Sequence, residues 1–291
     1  MLQFDISLGG IGFRFESEFD MEVPEDLHTF LCDGVQIREN YQIKLLREPI
    51  TPKKEPLFSS SRQIVYRTDD GWLRVYPGLE APDGCMAATL LRDEGTHILY
   101  LPENDLPRYK RSCTMGGLIC AETILLRNDC LLLHSSVVKE HGKTVLFCGP
   151  SGAGKSTQAN FWAQLFGSKI LNGDRCLVAK RHDRFVGCGS PYCGSSGICI
   201  ADEAPIAAII LLEQAQSNSL QLASLSEAMR SLYRQCVINS WDKAFTDGLL
   251  NLLSLLAAGV PVYILRCRLG TDAPKMVYDR IFRQATFAGA L

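Results

Sequence analysis

Hydrophobic positions follow two different rhythms along this chain. Over roughly the first hundred residues they alternate with polar ones. Phe13, Phe15 and Phe19 fall near period 2 among charged neighbours, the spacing of strands with one buried face. Ile64 and Tyr66 lead into Asp69-Asp70-Gly71, and Trp72, Val75 and Tyr76 follow. Two aromatic, β-branched runs around a D-G turn predict a hairpin. No catalytic motif accompanies them, so this region reads as a small β-rich domain or cap. The stretch 101–107, LPENDLP, is polar with two prolines and reads as a linker.

Beyond it the period changes. Leu118, Ala121, Glu122 and Leu125 stand at helical spacing within about 114–127. Residues 131–138 read as a strand, closed by the turn Lys139-Glu140-His141-Gly142, with a second short strand over 144–148. A helix over 156–166 places Phe161, Leu165 and Phe166 on its apolar side. The pattern then predicts a buried strand over 206–212, helices over 225–237 and 246–258, a strand over 260–267 and a final helix over 273–286. Strands alternating with helices indicate an α/β domain. The expected organisation is a β-rich N-terminal domain over 1–110 and an α/β domain over 111–291, with no internal repeat.

Residues 249–265 carry no charge and reach the lower length limit of a membrane span. Asn251, Ser254, Gly259 and Pro261 interrupt them. Gly-Val-Pro fits a helix end before a strand better, so a buried helix-turn-strand is expected and no membrane partner. Charge narrows the function classes further. Lys plus Arg number 30 and Asp plus Glu 32, a net charge of −2. Such a balance gives no overall pull toward nucleic acid or anionic membrane. With 46% hydrophobic residues, a disordered or collagen-like chain is excluded. The 12 cysteines are too sparse for a disulfide scaffold. Several, such as Cys130, Cys148, Cys176 and Cys267, sit inside apolar runs where a thiol packs as a small hydrophobe. The opening MLQFDISLGG puts Asp5 where the apolar stretch of a signal peptide would run. A cytoplasmic protein with reduced thiols is therefore expected.

The chemistry concentrates in one motif. Gly149-Pro150-Ser151-Gly152-Ala153-Gly154-Lys155-Ser156, followed by Thr157, matches the Walker A pattern G-x-x-x-x-G-K-[ST]. It lies between a predicted strand and a predicted helix, the setting this loop requires. Gly149, Gly152 and Gly154 let backbone N–H groups turn inward as an anion nest. The following helix adds its positive end. Lys155 supplies a charge for the β- and γ-phosphates, and Ser156 a hydroxyl for Mg²⁺. Two carboxylates compete for the metal or base role. Asp174 lies in ILNGDRCLV after the helix, where an ordinary N-G-D turn is the plain alternative. Glu213 ends the apolar strand as a Walker B acid would, or simply faces solvent. His134, followed by Ser135 and Ser136, lies on the strand expected beside the loop, where a packed histidine is the plain alternative. Cys188, Cys193 and Cys199, spaced C-x4-C-x5-C, fit no common zinc or iron–sulfur pattern and read as packing or loop cysteines.

In order along the chain, LLLHSSVV, a hairpin turn, KTVLFCGPSGAGKST, a helix and ILNGDRCLV resemble the C-terminal domain of HPr kinase/phosphorylase. That domain belongs to the phosphoenolpyruvate carboxykinase-like class of P-loop folds. Gly189-Ser-Pro-Tyr192, APIAAIILLE over 204–213 and PVYILRC over 261–267 also look like kinase-like members of the class. The resemblance covers about 113–291. It implies an α/β P-loop domain of that type and places His134 near the transferred phosphate. It also matches Asp174 to the first acid of a paired-aspartate motif, a base toward the acceptor hydroxyl or a metal ligand, and makes the glycine-rich 188–199 segment a loop near the active site. The second acid is here Arg175. Either Asp174 serves twice, or Glu213 or Glu203 supplies the missing ligand, or catalysis is lost. Arg175 would neutralise transferring phosphate charge or be an ordinary surface ion-pair partner.

The expected activity is phosphoryl transfer from Mg·ATP to a hydroxyl group. The acceptor is Ser or Thr of a peptide or protein, or a small molecule. Asp174, His134, Lys155 and Arg175 would be catalytic, and Ser156, Asp174 and Glu213 metal ligands. A homo-oligomer is compatible with this reading. The rival is a nucleotide-binding regulatory or assembly module without kinase activity. Decarboxylating chemistry on an oxaloacetate-like acid ranks lower, because the chain is short for it and shows no second basic constellation.

Overall fold

The computed structural model describes residues 2–50, 52–80, 86–110 and 112–283. The chain divides into two compact units, Met1–Ile124 and Leu125–Leu291. Among the described residues the first contains eight strands: β1 (Gln3–Leu8), β2 (Ile11–Ser17), β3 (Ile37–Leu46), β4 (Phe58–Ser59), β5 (Ile64–Arg67), β6 (Gly71–Glu80), β7 (Met86–Arg92) and β8 (His97–Pro102). They form one sheet in the order β1-β2-β3-β8-β7-β6-β5-β4. Phe13 and Phe15 are fully buried on β2, as the alternation requires; Phe19 lies past the strand's end. The predicted hairpin is β5–β6, with Arg67 opposite Trp72. The LPENDLP stretch is not a linker. Leu101 is buried within β8 opposite Leu45, and Glu103–Lys110 winds into 3₁₀ turns.

The helix expected over 114–127 is two helices, α1 (Ser112–Leu118) and α2 (Ala121–Arg127). Side chains of the sheet cause the break. Thr89 Oγ1 donates to the Leu118 carbonyl and Tyr41 Oη to that of Ile119, leaving Cys120 at φ 51°. Arg74 adds bonds to Glu122 and Thr123. These ties bind the stretch to the N-terminal sheet, which is why the boundary falls after Ile124 and not at 110.

The second unit contains β9 (Cys130–Glu140), β10 (Lys143–Cys148), β11 (Lys169–Asn172), β12 (Arg175–Arg181), β13 (Arg184–Cys188), β14 (Glu203–Gln214), β15 (Ser219–Leu222) and β16 (Val262–Cys267). Two long strands organise it. The first half of β9 pairs with β12 and the second half with β10. The start of β14 pairs with β13, and the remainder runs parallel to β10 and β16. Pairing therefore closes a ring, β10-β9-β12-β13-β14, from which β16 and β15 extend. Successive β10 side chains point to opposite faces. Phe147 packs with Trp162 of α3 (Lys155–Phe166) and Val277 of α6 (Asp272–Tyr278). Leu146 packs with Leu232 of α4 (Leu225–Tyr233) and Leu252 of α5 (Lys243–Gly259).

Helix α5 ends at Gly259 and β16 starts at Val262, the expected helix-turn-strand. Among the described residues no helix is long and apolar enough to cross a membrane. Helix α4 stops short of the predicted 237 because its following residues turn onto β9. The His134 N–H donates to the Gln235 carbonyl at 2.8 Å, and Leu133 bridges Cys236. The last predicted helix is α6 followed by a π-turn, Asp279–Arg283, and 284–286 lie outside the described residues. The fold is mixed α/β with two multi-stranded sheets.

Candidate functional site

The turn between β9 and β10 sets the site's register. His141 and Gly142, at φ 46° and 69°, make the tight two-residue turn that matches strand twist. Cys148 is thereby placed opposite Ser135, and His134 stands beside the start of the 149–156 loop. Gly152 and Gly154 hold positive φ, and Gly154 caps α3. The helix thus aims its free N–H groups and positive end at the space the loop encloses. Lys155 is buried, and its Nζ donates to the carbonyls of Gly149 at 2.9 Å and Pro150 at 3.2 Å. Burial lowers its pKa from the ordinary lysine value.

A second loop meets the first. Asn172 is fully buried, and its Oδ1 accepts from the N–H groups of Asp174 and Arg175, both at 2.8 Å. Its Nδ2 donates to the carbonyls of Ser190 at 2.9 Å and Tyr192 at 3.3 Å. The intervening Gly173 carbonyl accepts from Ser136 Oγ at 2.9 Å and Ser156 Oγ at 3.4 Å. The N-G-D turn is therefore both a local Asx turn and a clamp that presents Asp174. Asp174 Oδ1 lies 3.3 Å from His134 Nε2, and Oδ2 lies 3.8 Å from Arg175 Nε. Both side chains of the His134–Asp174 pair are 35% exposed. Burial, then the charge of Lys155, lowers the His134 pKa, against the opposing pull of Asp174. The ring is thus mainly neutral near pH 7.

Two cavities flank the 149–156 loop. One of about 290 Å³ gathers Lys155, Ser156, Asp174, His134, Ser195 and Ser196. The other, about 910 Å³, lies between residues 149–153, the end of β14 and Ser231, Arg234 and Gln235. Glu213 borders the larger cavity and pairs with Arg266 at 2.9 Å; it does not join the Asp174 cluster. Glu203 stands at the opposite end of β14, bonded to Cys188 Sγ at 3.2 Å and Arg181 at 3.4 Å, too far along the strand to serve a metal held at Ser156. Cys188 is buried against that carboxylate. Ser135 is structural, its Oγ bonded to the Leu133 carbonyl and Cys176 Sγ.

Asn172, Ser190, Ser195, Ser196 and Arg234 were not legible as site residues. Asn172 left a signal as the Asx residue two positions before the acid, and Ser190, Ser195 and Ser196 lie in the 188–199 segment that the resemblance placed near the site. Arg234 arrives by long-range packing.

No family model matches the chain, and no curated protein does. Solved structures do. One is the HPr(Ser) kinase/phosphatase from Coxiella burnetii, at 10% identity over 54% of this chain and 91% of that one, with a TM-score of 0.33. The relationship is one of structure alone, and no residue's role is taken from it.

Proposed function

We propose that the 149–156 loop is a P-loop for Mg·ATP and that the protein is a phosphotransferase, of phosphoenolpyruvate carboxykinase-like, HPr kinase-like type, acting on a hydroxyl acceptor. One observation carries this reading. Lys155, Ser156 and the His134–Asp174 pair face a single cavity of about 290 Å³, so phosphate-holding and proton-accepting groups share one space. The local geometry fits an anion. A Cβ on Gly149 would come within 3.0 Å of Ala153 Cβ and 3.2 Å of the Leu212 carbonyl, a crowding that glycine avoids in a loop wrapped this tightly.

In this reading Lys155 exchanges its loop carbonyls for β- and γ-phosphate oxygens. Ser156 and Asp174 would hold Mg²⁺, which supplies charge neutralisation and orientation when bound. Asp174 accepts the proton of the acceptor hydroxyl. Neutral His134 fixes that carboxylate by a hydrogen bond and adds no further positive charge. Arg175 neutralises charge on the transferring group. Transfer of this kind depends mainly on positioning, so the acceptor, a peptide or protein Ser/Thr or a small hydroxyl compound, is set by surroundings rather than by these residues.

A nucleotide-binding module without turnover is the second reading. Arg175, paired with Asp174 at 3.8 Å where a second acid was expected, favours it. Titration calorimetry tests what both share. Lys155→Ala removes a charge-assisted contact worth about 1.5–3 kcal/mol, so ATP affinity should fall about tenfold or more; unchanged affinity would sink both. Incubation with γ-labelled ATP separates them, since a kinase labels an acceptor or slowly releases phosphate and a module does neither.

A further inference from the structure

We infer that Ser195 is itself a phosphate acceptor, so that the chain phosphorylates its own loop; this rests on the phosphotransferase reading above. The loop that carries Ser195 is pressed onto the catalytic turn at two glycines. A Cβ on Gly194 would come within 2.7 Å of Asp174 Cβ and Cγ, and one on Gly173 within 2.2 Å of Ser196 Oγ. Both close approaches need the missing side chain. The chain therefore passes over the Asp174 carboxyl group immediately before Ser195.

The two neighbouring serines differ. Ser196 Oγ donates to the Cys193 carbonyl at 2.6 Å and accepts from the Ile198 N–H at 3.2 Å. Its hydroxyl closes the turn. Ser195 is exposed and lines the same cavity as Lys155, Ser156 and Asp174. Among the described residues its hydroxyl has no such structural bond. Of the two serines on this loop, it is the one whose hydroxyl is not spent on closing the turn, and it is housed with the phosphate-holding groups.

The step balances without a further reactant beyond the nucleoside triphosphate. Ser195 Oγ attacks the γ-phosphorus, and an O–P bond forms. The bond from that phosphorus to the β,γ-bridging oxygen breaks, and the nucleoside diphosphate leaves with the electron pair. The hydroxyl proton passes to the Asp174 carboxylate. The product carries about −1.5 to −2 charges into the cavity that holds Lys155.

The test uses the full chain with Mg·ATP and no added acceptor, read by phosphopeptide mass spectrometry. A single phosphate should appear on Ser195, at a fractional rate independent of protein concentration. Ser195→Ala should abolish it and Ser195→Thr should retain it on the new hydroxyl. Label on Ser196 or elsewhere instead, or a rate rising with protein concentration, would overturn the inference. Phosphate release from the same sample tells which idea has failed. Slow release of phosphate without Ser195 label removes this inference alone, whereas ATP binding with neither release nor label, or no ATP binding, removes the phosphotransferase reading with it.

Discussion

Two polar clusters, one in each unit, look alike in composition and differ in what surrounds them. In the N-terminal unit Arg74 meets Glu122 and Thr123, and Tyr76 meets Cys120. The Arg74 and Glu122 side chains are only 5% and 13% exposed. Burial pushes the Tyr76 and Cys120 pKa values up, so both stay neutral. Each group is turned toward a protein partner and none borders either cavity at the 149–156 loop. In the C-terminal unit His134 and Asp174 are 35% exposed, and their backbones are fixed by β9 and by Asn172. Their reactive atoms border a cavity. Ionisable groups sealed against one another hold a fold together. Ionisable groups held from behind and left open in front leave room for a ligand, the role proposed above for His134 and Asp174.

The largest effect should come from the sealed cluster. Arg74→Ala leaves the Glu122 carboxylate buried without its cation, and breaking such a pair costs about 3–5 kcal/mol. Urea unfolding should show that loss. A change under about 1 kcal/mol, the range of a surface pair, would mean that the cluster is not the seal described and would end the contrast.

The open cluster should answer in the opposite way. Asp174→Asn keeps the size and removes the basicity, and a positioned general base contributes about 10²–10⁴-fold to rate. Phosphoryl transfer should fall at least about 10²-fold, while unfolding free energy shifts by no more than about 1 kcal/mol, as for a part-exposed ion pair. Nucleotide affinity should stay within a few-fold, because the loop backbone does most of the holding. Near-normal transfer in Asp174→Asn together with its abolition in Glu213→Gln would move the chemistry to the larger cavity and to the ordinary Walker B acid.

How far each cluster was legible follows from sequence distance. The 149–156 loop, its strand and its helix are contiguous, so local rules predicted them and the structure places them as expected. His134 and Asp174 could be named because the resemblance matches them to site positions, but their mutual contact depends on the pairing of β9 with β12, which sets Arg175 opposite His134. The sealed cluster was invisible. Arg74 and Glu122 belong to elements far apart in sequence, and the break at Cys120 comes from Tyr41 and Thr89 taking helix carbonyls, which no helical periodicity can reveal. The reading of LPENDLP as a linker failed for the same reason, since two prolines say nothing of the pairing of Leu101 with Leu45.

The smallest effect is also the most direct probe of the open cluster. Burial and the charge of Lys155 lower the His134 pKa, and Asp174 opposes them. In the unfolded chain the ring titrates near 6.5; in the fold it takes up its proton at lower pH. Between those values the unfolded chain binds more protons. The ring's contribution to stability is therefore complete above about 6.5 and is lost as pH falls through the folded value. Proton NMR of the ring should show a midpoint below about 6.5, and two variants should displace it in opposite directions. Asp174→Asn removes the charge that favours the imidazolium and should lower the midpoint further. Lys155→Ala removes a charge that disfavours it and should raise the midpoint. Movement of both in one direction, or a midpoint above that of the unfolded chain, would show that His134 does not share a field with Lys155 and Asp174, and the open cluster would lose its common site.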